Sequence, residues 1–144
     1  LLHLFPSIYL GIEAKKGGGK YTRQELAIWL EDEAGNVDWE TDWVCMAEHE
    51  SNFNTQAFNG KNDNGSSDYG IFQINSKWWC KNNSSPSANA CNTMCSRFLD
   101  DNISDDITCA KRVVKDPNGM SAWVAWVRHC RNKDLSRYLA SCNL

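Results

Sequence analysis

No apolar run in this chain approaches the roughly twenty residues that a membrane-crossing helix needs. Nor is there an excess of positive charge. The net charge is −3, which leaves no overall basic field to draw in nucleic acid or an anionic surface. Internal repeats are missing, so a stacked-repeat architecture is not expected. The chain has no C-x-x-C pair and no paired histidines at zinc spacing, which removes the usual zinc patterns. It also lacks G-x-S-x-G, and with it the turn that presents a serine nucleophile.

What is present bounds the protein from the other side. The 144 residues are 42% hydrophobic and 23% charged, an ordinary globular mixture sized for one domain, or one domain plus a short appendage. The charge is unevenly placed: residues 1–44 carry 8 acids and 4 bases, residues 45–144 carry 10 and 11. Seven cysteines, all from Cys45 onward, indicate an oxidised, secreted scaffold. An odd number leaves at least one thiol unpaired or bonded between molecules, and counting alone leaves the pairing open.

Residues 1–12 are apolar but carry His3, Pro6 and Ser7, with no basic residues before them and no small-x-small site after them. That is a poor signal peptide. Gly17–Gly19, flanked by lysines, reads as a flexible linker, so 1–19 is expected to be an appendage and 20–144 the domain. Thr22-Arg23-Gln24-Glu25 matches a capping box, followed by Leu26, Trp29 and Leu30 at helical spacing. This helix is expected to end near Ala34-Gly35-Asn36. Asp38 is expected to cap a second, reaching about Ser51. After a polar stretch with a turn signal at Asn64-Gly65, Asp68 to Asn75 reads as one short strand. Periodicity predicts helices over Asp105–Asp116, Met120–Cys130 and Asp134–Ala140, with a turn at Pro117-Asn118-Gly119. Helices outnumber the few consecutive strands, so the predicted class is α+β with a small antiparallel sheet.

Two acids stand out. On a helical wheel Glu50 falls beside Trp43, Met46 and Ala47, while Glu48 and His49 turn away. A carboxyl on an apolar stripe is desolvated, which raises its pKa and suits it to general-acid work near neutral pH. Asp68 opens a strand after Gly65-Ser66-Ser67, with Asn62 and Asn75 close enough in sequence to donate hydrogen bonds. One protonated and one charged carboxyl is the pairing used to cleave glycosides.

Several stretches together carry a family likeness. They are Trp43-Val44-Cys45, Glu50 to Ala57, Ser67 to Ser76, Trp78-Trp79-Cys80 and Asn118 to Trp126. Over residues 43–144 they resemble the c-type lysozyme and α-lactalbumin family, most of all its calcium-binding milk lysozymes. Lysozyme is itself the type case for such an acid pair, so the roles are carried over by likeness. The resemblance implies two lobes, with the β subdomain over about 55–102 and the active-site cleft between them. It implies Glu50 as the acid on the glycosidic oxygen, packed by Trp123, and Asp68 as nucleophile or ion stabiliser, with configuration retained. Asn75, Trp78, Trp79, Asp116, Trp123 and the backbone of Ala122 match sugar-binding positions. Trp43 and Trp126 are expected to fill the core. The implied substrate is peptidoglycan or chito-oligosaccharide, cleaved by a secreted, bacteriolytic monomer that spans no membrane and binds no nucleic acid.

The run Asp100-Asp101-Asn102-Ile103-Ser104-Asp105-Asp106 puts four carboxylates in seven residues, a set of hard oxygen donors of the kind Ca²⁺ prefers, though not with EF-hand spacing. A dipole-stabilised acidic helix start is the plainer reading. The family likeness instead implies a structural Ca²⁺ elbow. Its ligands would be the carboxylates of Asp100, Asp105 and Asp106 with the carbonyls of Arg97 and Asn102, and Asp101 would face solvent. The same likeness implies disulfides Cys45–Cys130, Cys80–Cys95 and Cys91–Cys109. A fourth family bridge would need a cysteine where Gln24 stands, so Cys142 is expected to be a free thiol. Residues 1–42 depart from the family pattern, and Trp29 and Trp39 have no clear counterpart, as in an engineered or chimeric segment. A non-catalytic α-lactalbumin-like regulator and a redesigned scaffold are the alternatives to an enzyme. Sequons at Asn64, Asn82, Asn83 and Asn102 permit glycosylation.

Overall fold

The computed structural model describes residues 20–23, 25–26 and 37–138, with backbone alone for 37–40. The expectations for residues 1–19, the end of the first helix, the side chains of Trp29 and Trp39, and Cys142 lie outside the described residues. The class is α+β, as predicted.

The capping box forms. Thr22 Oγ1 accepts from the Glu25 amide at 3.1 Å, and Glu25 Oε1 accepts from the Thr22 amide at 2.9 Å. Two amides that no helix turn could satisfy are thereby paired, and Leu26 enters the core fully buried. Tyr21 joins the same region to the rest of the molecule. Its amide donates to the Phe53 carbonyl at 3.1 Å, and its hydroxyl donates to the Asp101 carbonyl at 2.8 Å.

Helix α1 (Val37–Ser51) begins one residue before Asp38, so Asp38 lies inside the helix and not in front of it. Trp43, Val44, Cys45, Met46 and Ala47 are all buried on it. The sheet has order β1-β2-β3: β1 (Phe58–Asn59), β2 (Asp68–Tyr69) and β3 (Ile74–Asn75), antiparallel throughout. The single strand expected from Asp68 to Asn75 is therefore two strands. Gly70 reverses the chain between them at φ +81°. A side chain there would strike the Phe98 carbonyl and come within 2.7 Å of Asp106 Oδ2, so both the handedness and the space require glycine.

The later helices are shorter than periodicity suggests. Helix α2 is Ser104–Val113, not Asp105–Asp116. Turn bonds close Lys115 and Asp116, and Pro117 disfavours a helical residue before it. The expected helix Met120–Cys130 breaks in two, a 3₁₀ turn at Gly119–Ala122 and α3 at Val124–His129. The break is Trp123, which is extended (φ −99°, ψ 114°) and donates its indole N–H to the Phe72 carbonyl at 2.7 Å. At the end of the described chain, Asp134–Ala140 yields only a 3₁₀ turn, Ser136–Tyr138, with 139–140 outside the described residues.

Trp43 is the centre of the core, 1% exposed and edge-on to both Phe72 and Trp123 with centroids 5.6 Å away. Trp126 packs against the same core from its edge. It is half-buried, and its indole N–H reaches Asp42 Oδ1 at 3.0 Å on α1. Three disulfides close, Cys45–Cys130, Cys80–Cys95 and Cys91–Cys109, each typically worth about 2–4 kcal/mol. The first ties α1 to the end of α3, and the third ties the loop after β3 to α2.

Candidate active site

Between the sheet and the helical half runs a cleft of about 890 Å³, and Glu50, Asp68, Asn75, Trp78, Trp79, Asp116, Ala122 and Trp123 all line it. Glu50 stands in the last turn of α1. The helix stops just beyond it because Asn52 (φ 53°) and Phe53 (φ 63°) are left-handed. Ser51 Oγ donates to the carbonyls of Ile71 (2.6 Å) and Ala47 (3.1 Å), pinning the helix end to the sheet. Burial pushes the Glu50 carboxyl up to about 7, opposed by the Ala125 backbone N–H and assisted by the charge of Asp68. Such a group holds a proton near neutral pH and can give it up.

Asp68 sits on β2 in a polar cradle. Asn75 Nδ2 donates to Oδ1 at 2.8 Å, and Asn62 Nδ2 to Oδ2 at 3.0 Å. Asn59 Nδ2 also reaches Oδ2, at 3.3 Å. Asn59 escaped the sequence reading because it becomes a neighbour only through the β1–β2 register, which places it directly opposite Asp68. Three amide donors are the setting for a carboxylate, which only accepts. The two acids of one cleft thus live in opposite environments.

The remaining lining suits a sugar chain. Trp78 is 54% exposed, an open aromatic face, and Trp79 stands beside it. Indole faces are suited to apolar sugar C–H surfaces, and polar side chains such as Asp116 are suited to hydroxyls.

The second acidic cluster lies behind the sheet. One carboxylate oxygen each from Asp100, Asp105 and Asp106 lie within 4.8 Å of one another. Asp106 is fully buried, and neither of its oxygens has a hydrogen-bond partner. Burial pushes its carboxyl well up, as does the adjacent Asp105 carboxyl. Adjacent carboxylates repel one another unless one is protonated or a cation lies between them. A set of hard oxygens around an orphaned buried carboxylate fits a divalent cation. Asp101 does not face solvent as expected. It is half-buried, and its Oδ1 accepts from Thr55 Oγ1 at 2.9 Å, turning its side chain away from the other three. The carboxylate cluster is one of two groups of potential metal-binding side chains among the described residues; the other, Cys45, His49 and Cys130, is consumed by the Cys45–Cys130 disulfide.

Comparison with known proteins shows the family. The sequence model of the C-type lysozyme/alpha-lactalbumin family matches residues 20–142. The chain belongs to the C-type lysozyme/alpha-lactalbumin family. The milk isozyme of lysozyme C from Canis lupus familiaris is 85% identical over 102 residues, 71% of this chain and 79% of the relative. The milk isozyme from Equus caballus is 76% identical over the same length. Among solved structures, the apo-type canine milk lysozyme superposes with a TM-score of 0.81 at 71% identity, covering 87% of this chain and 99% of its own. A calcium-binding lysozyme from equine milk gives a TM-score of 0.78 at 65% identity, with the same coverages. The family match reaches back to residue 20, well before Trp43, in keeping with the anchoring of Tyr21 and Leu26.

Proposed function

We propose that this chain is a lysozyme, a glycoside hydrolase that cleaves the β-1,4 bond between N-acetylmuramic acid and N-acetylglucosamine in bacterial peptidoglycan. The observation that carries the reading is the contrast between Glu50, pushed up to about 7, and Asp68, held by three asparagine donors in the same cleft. Glu50 starts protonated and gives its proton to the glycosidic oxygen as the bond breaks. Asp68 faces the positive charge developing at the anomeric carbon and attacks or stabilises it, with configuration retained. Glu50, now ionised, accepts a proton from the incoming water. Trp78 and Trp79 supply flat apolar faces for successive sugars, and Asn75, Asp116 and the backbone of Ala122 bond to their polar groups. Trp123 shields Glu50 from solvent.

The elbow is read as a structural Ca²⁺ site, with the carboxylates of Asp100, Asp105 and Asp106 and the carbonyls of Arg97 and Asn102 as ligands. When bound there, the ion would neutralise the three carboxylates, of which Asp106 is buried, and would add stability by favouring the folded chain. The body, residues 20–144, acts as a secreted monomer, with 1–19 an appendage and Cys142 a free thiol. No helix among the described residues is long and apolar enough to cross a membrane.

The deciding test is turbidity loss of a bacterial cell-wall suspension. The parent chain lyses the walls, and Glu50→Gln does not while keeping its circular dichroism spectrum. Absence of lysis by the folded parent would reduce the chain to a non-catalytic relative or a scaffold.

A further inference from the structure

Arg112 does not line the cleft, yet it holds two residues that do. It lies in the last turn of α2, where its Nη1 donates to Asp116 Oδ1 at 2.9 Å, four residues ahead. Its guanidinium also lies 5.7 Å from the centroid of the Trp79 ring. Asp116 comes from the turn after α2, and Trp79 from the loop after β3. One planar cation therefore spans the two walls of the cleft at this end. Lys77 stands over Trp78 at 5.0 Å in a similar way, but Lys77 and Trp78 are chain neighbours, so that contact joins nothing distant.

We propose that Arg112 is a positioning residue for substrate, acting through Trp79 and Asp116 to set the distance and orientation of an aromatic face and a hydroxyl acceptor. The inference rests on the lysozyme reading above. The physical case is one of preorganisation. Guanidinium stacks flat on an aromatic ring and at the same time presents N–H groups in its own plane, which an ammonium cannot do. The Arg112–Asp116 pair is nearly half exposed at both ends, and exposed pairs at this spacing add little to stability. What the pair does add is a fixed place for the Asp116 carboxylate and a contact that restrains the Trp79 ring, itself packed against the core. Without Arg112, both side chains keep their chemistry but search more orientations, and binding bears that entropy.

The role predicts a split between binding and chemistry. Arg112→Ala should weaken binding of the trimer of β-1,4-linked N-acetylglucosamine, followed by tryptophan fluorescence, by about five-fold. For the hexamer, KM should rise by a similar factor, kcat should stay within about two-fold, and Tm should move by no more than about 2 °C. Arg112→Lys, which retains the charge but not the plane, should recover only part of the loss. Unchanged trimer affinity in Arg112→Ala overturns the inference, as does full recovery in Arg112→Lys, which would leave charge as the whole effect. If the parent neither binds the trimer nor cleaves the hexamer, the lysozyme reading falls and takes this inference with it.

Discussion

In the cleft, Asp68 receives three asparagine donors and Glu50 one backbone N–H, whereas at the elbow both oxygens of the buried Asp106 lack a hydrogen-bond partner. Both regions crowd carboxylates, and both sit near the same small sheet, since a side chain at Gly70 between β2 and β3 would come within 2.7 Å of Asp106 Oδ2. The difference is what completes them. Groups on the chain itself complete the cleft, where burial raises the Glu50 carboxyl and three amides hold the Asp68 side chain in place. At the elbow backbone amides reach Asp100 and Asp105, but neither oxygen of Asp106 has a donor, and a buried carboxylate without donors is costly unless it is protonated or paired with a cation. A region that needs only its own residues is suited to chemistry. A carboxylate cluster that a cation would neutralise is suited to stabilising the fold.

This contrast can be broken most sharply at Glu50. Replacing it with Gln removes the proton donor while keeping the shape, and general-acid catalysis is typically worth about 10²- to 10⁴-fold. The expected result is a loss of that size in kcat on a chito-oligosaccharide, with the melting temperature unchanged or raised. The elbow should respond in the opposite sense. If Ca²⁺ is present at about a hundred times its dissociation constant, it contributes about 2.7 kcal/mol, and a loss of that size lowers Tm by roughly 5–10 °C for a domain near this length. Calorimetry with and without EDTA should show that drop, and Asp106→Asn should abolish the difference. A smaller effect is expected from Asn75→Ala, which deletes the shortest bond to Asp68. Hydrogen bonds to charged groups are worth about 1.5–3 kcal/mol, but two donors remain, so kcat should fall by roughly ten-fold with Tm nearly constant.

The parts of this molecule legible in its residues are those set by local spacing. The capping box at Thr22 and Glu25 forms as written, because it needs only four residues. The place of Glu50 beside an apolar stripe follows from helical geometry, and the neighbours of Asp68 at Asn62 and Asn75 lie within seven residues of it. The misreadings share another cause. Asp68 to Asn75 has the composition of one strand, but the close approach of the Phe98 carbonyl to Gly70, distant in sequence, turns it into two. Met120 to Cys130 has helical periodicity, yet Trp123 leaves the helix to reach the Phe72 carbonyl, 51 residues away. Asp101 finds Thr55, 46 residues away, in place of solvent, and Asn59 meets Asp68 only across a sheet register. Tertiary or cross-strand partners decided each of these, and periodicity carries no information about them.

The most direct test of the contrast is the pH dependence of hydrolysis of a soluble chito-oligosaccharide between pH 4 and 9. Burial first, and then the charge of Asp68, raise the Glu50 carboxyl from its ordinary value of 4.5 to about 7. Glu50 must be protonated to act, so the rate should hold through the mildly acidic range and fall as pH rises through about 7. The linked stability has the same sign. A raised folded-state pKa favours folding at low pH, and that contribution is lost between about 4.5 and 7, so the parent should lose stability relative to Glu50→Gln across that interval. An alkaline limb near pH 7 that disappears in Glu50→Gln is the predicted result. A limb near 4.5, or one unchanged by the substitution, would contradict the account.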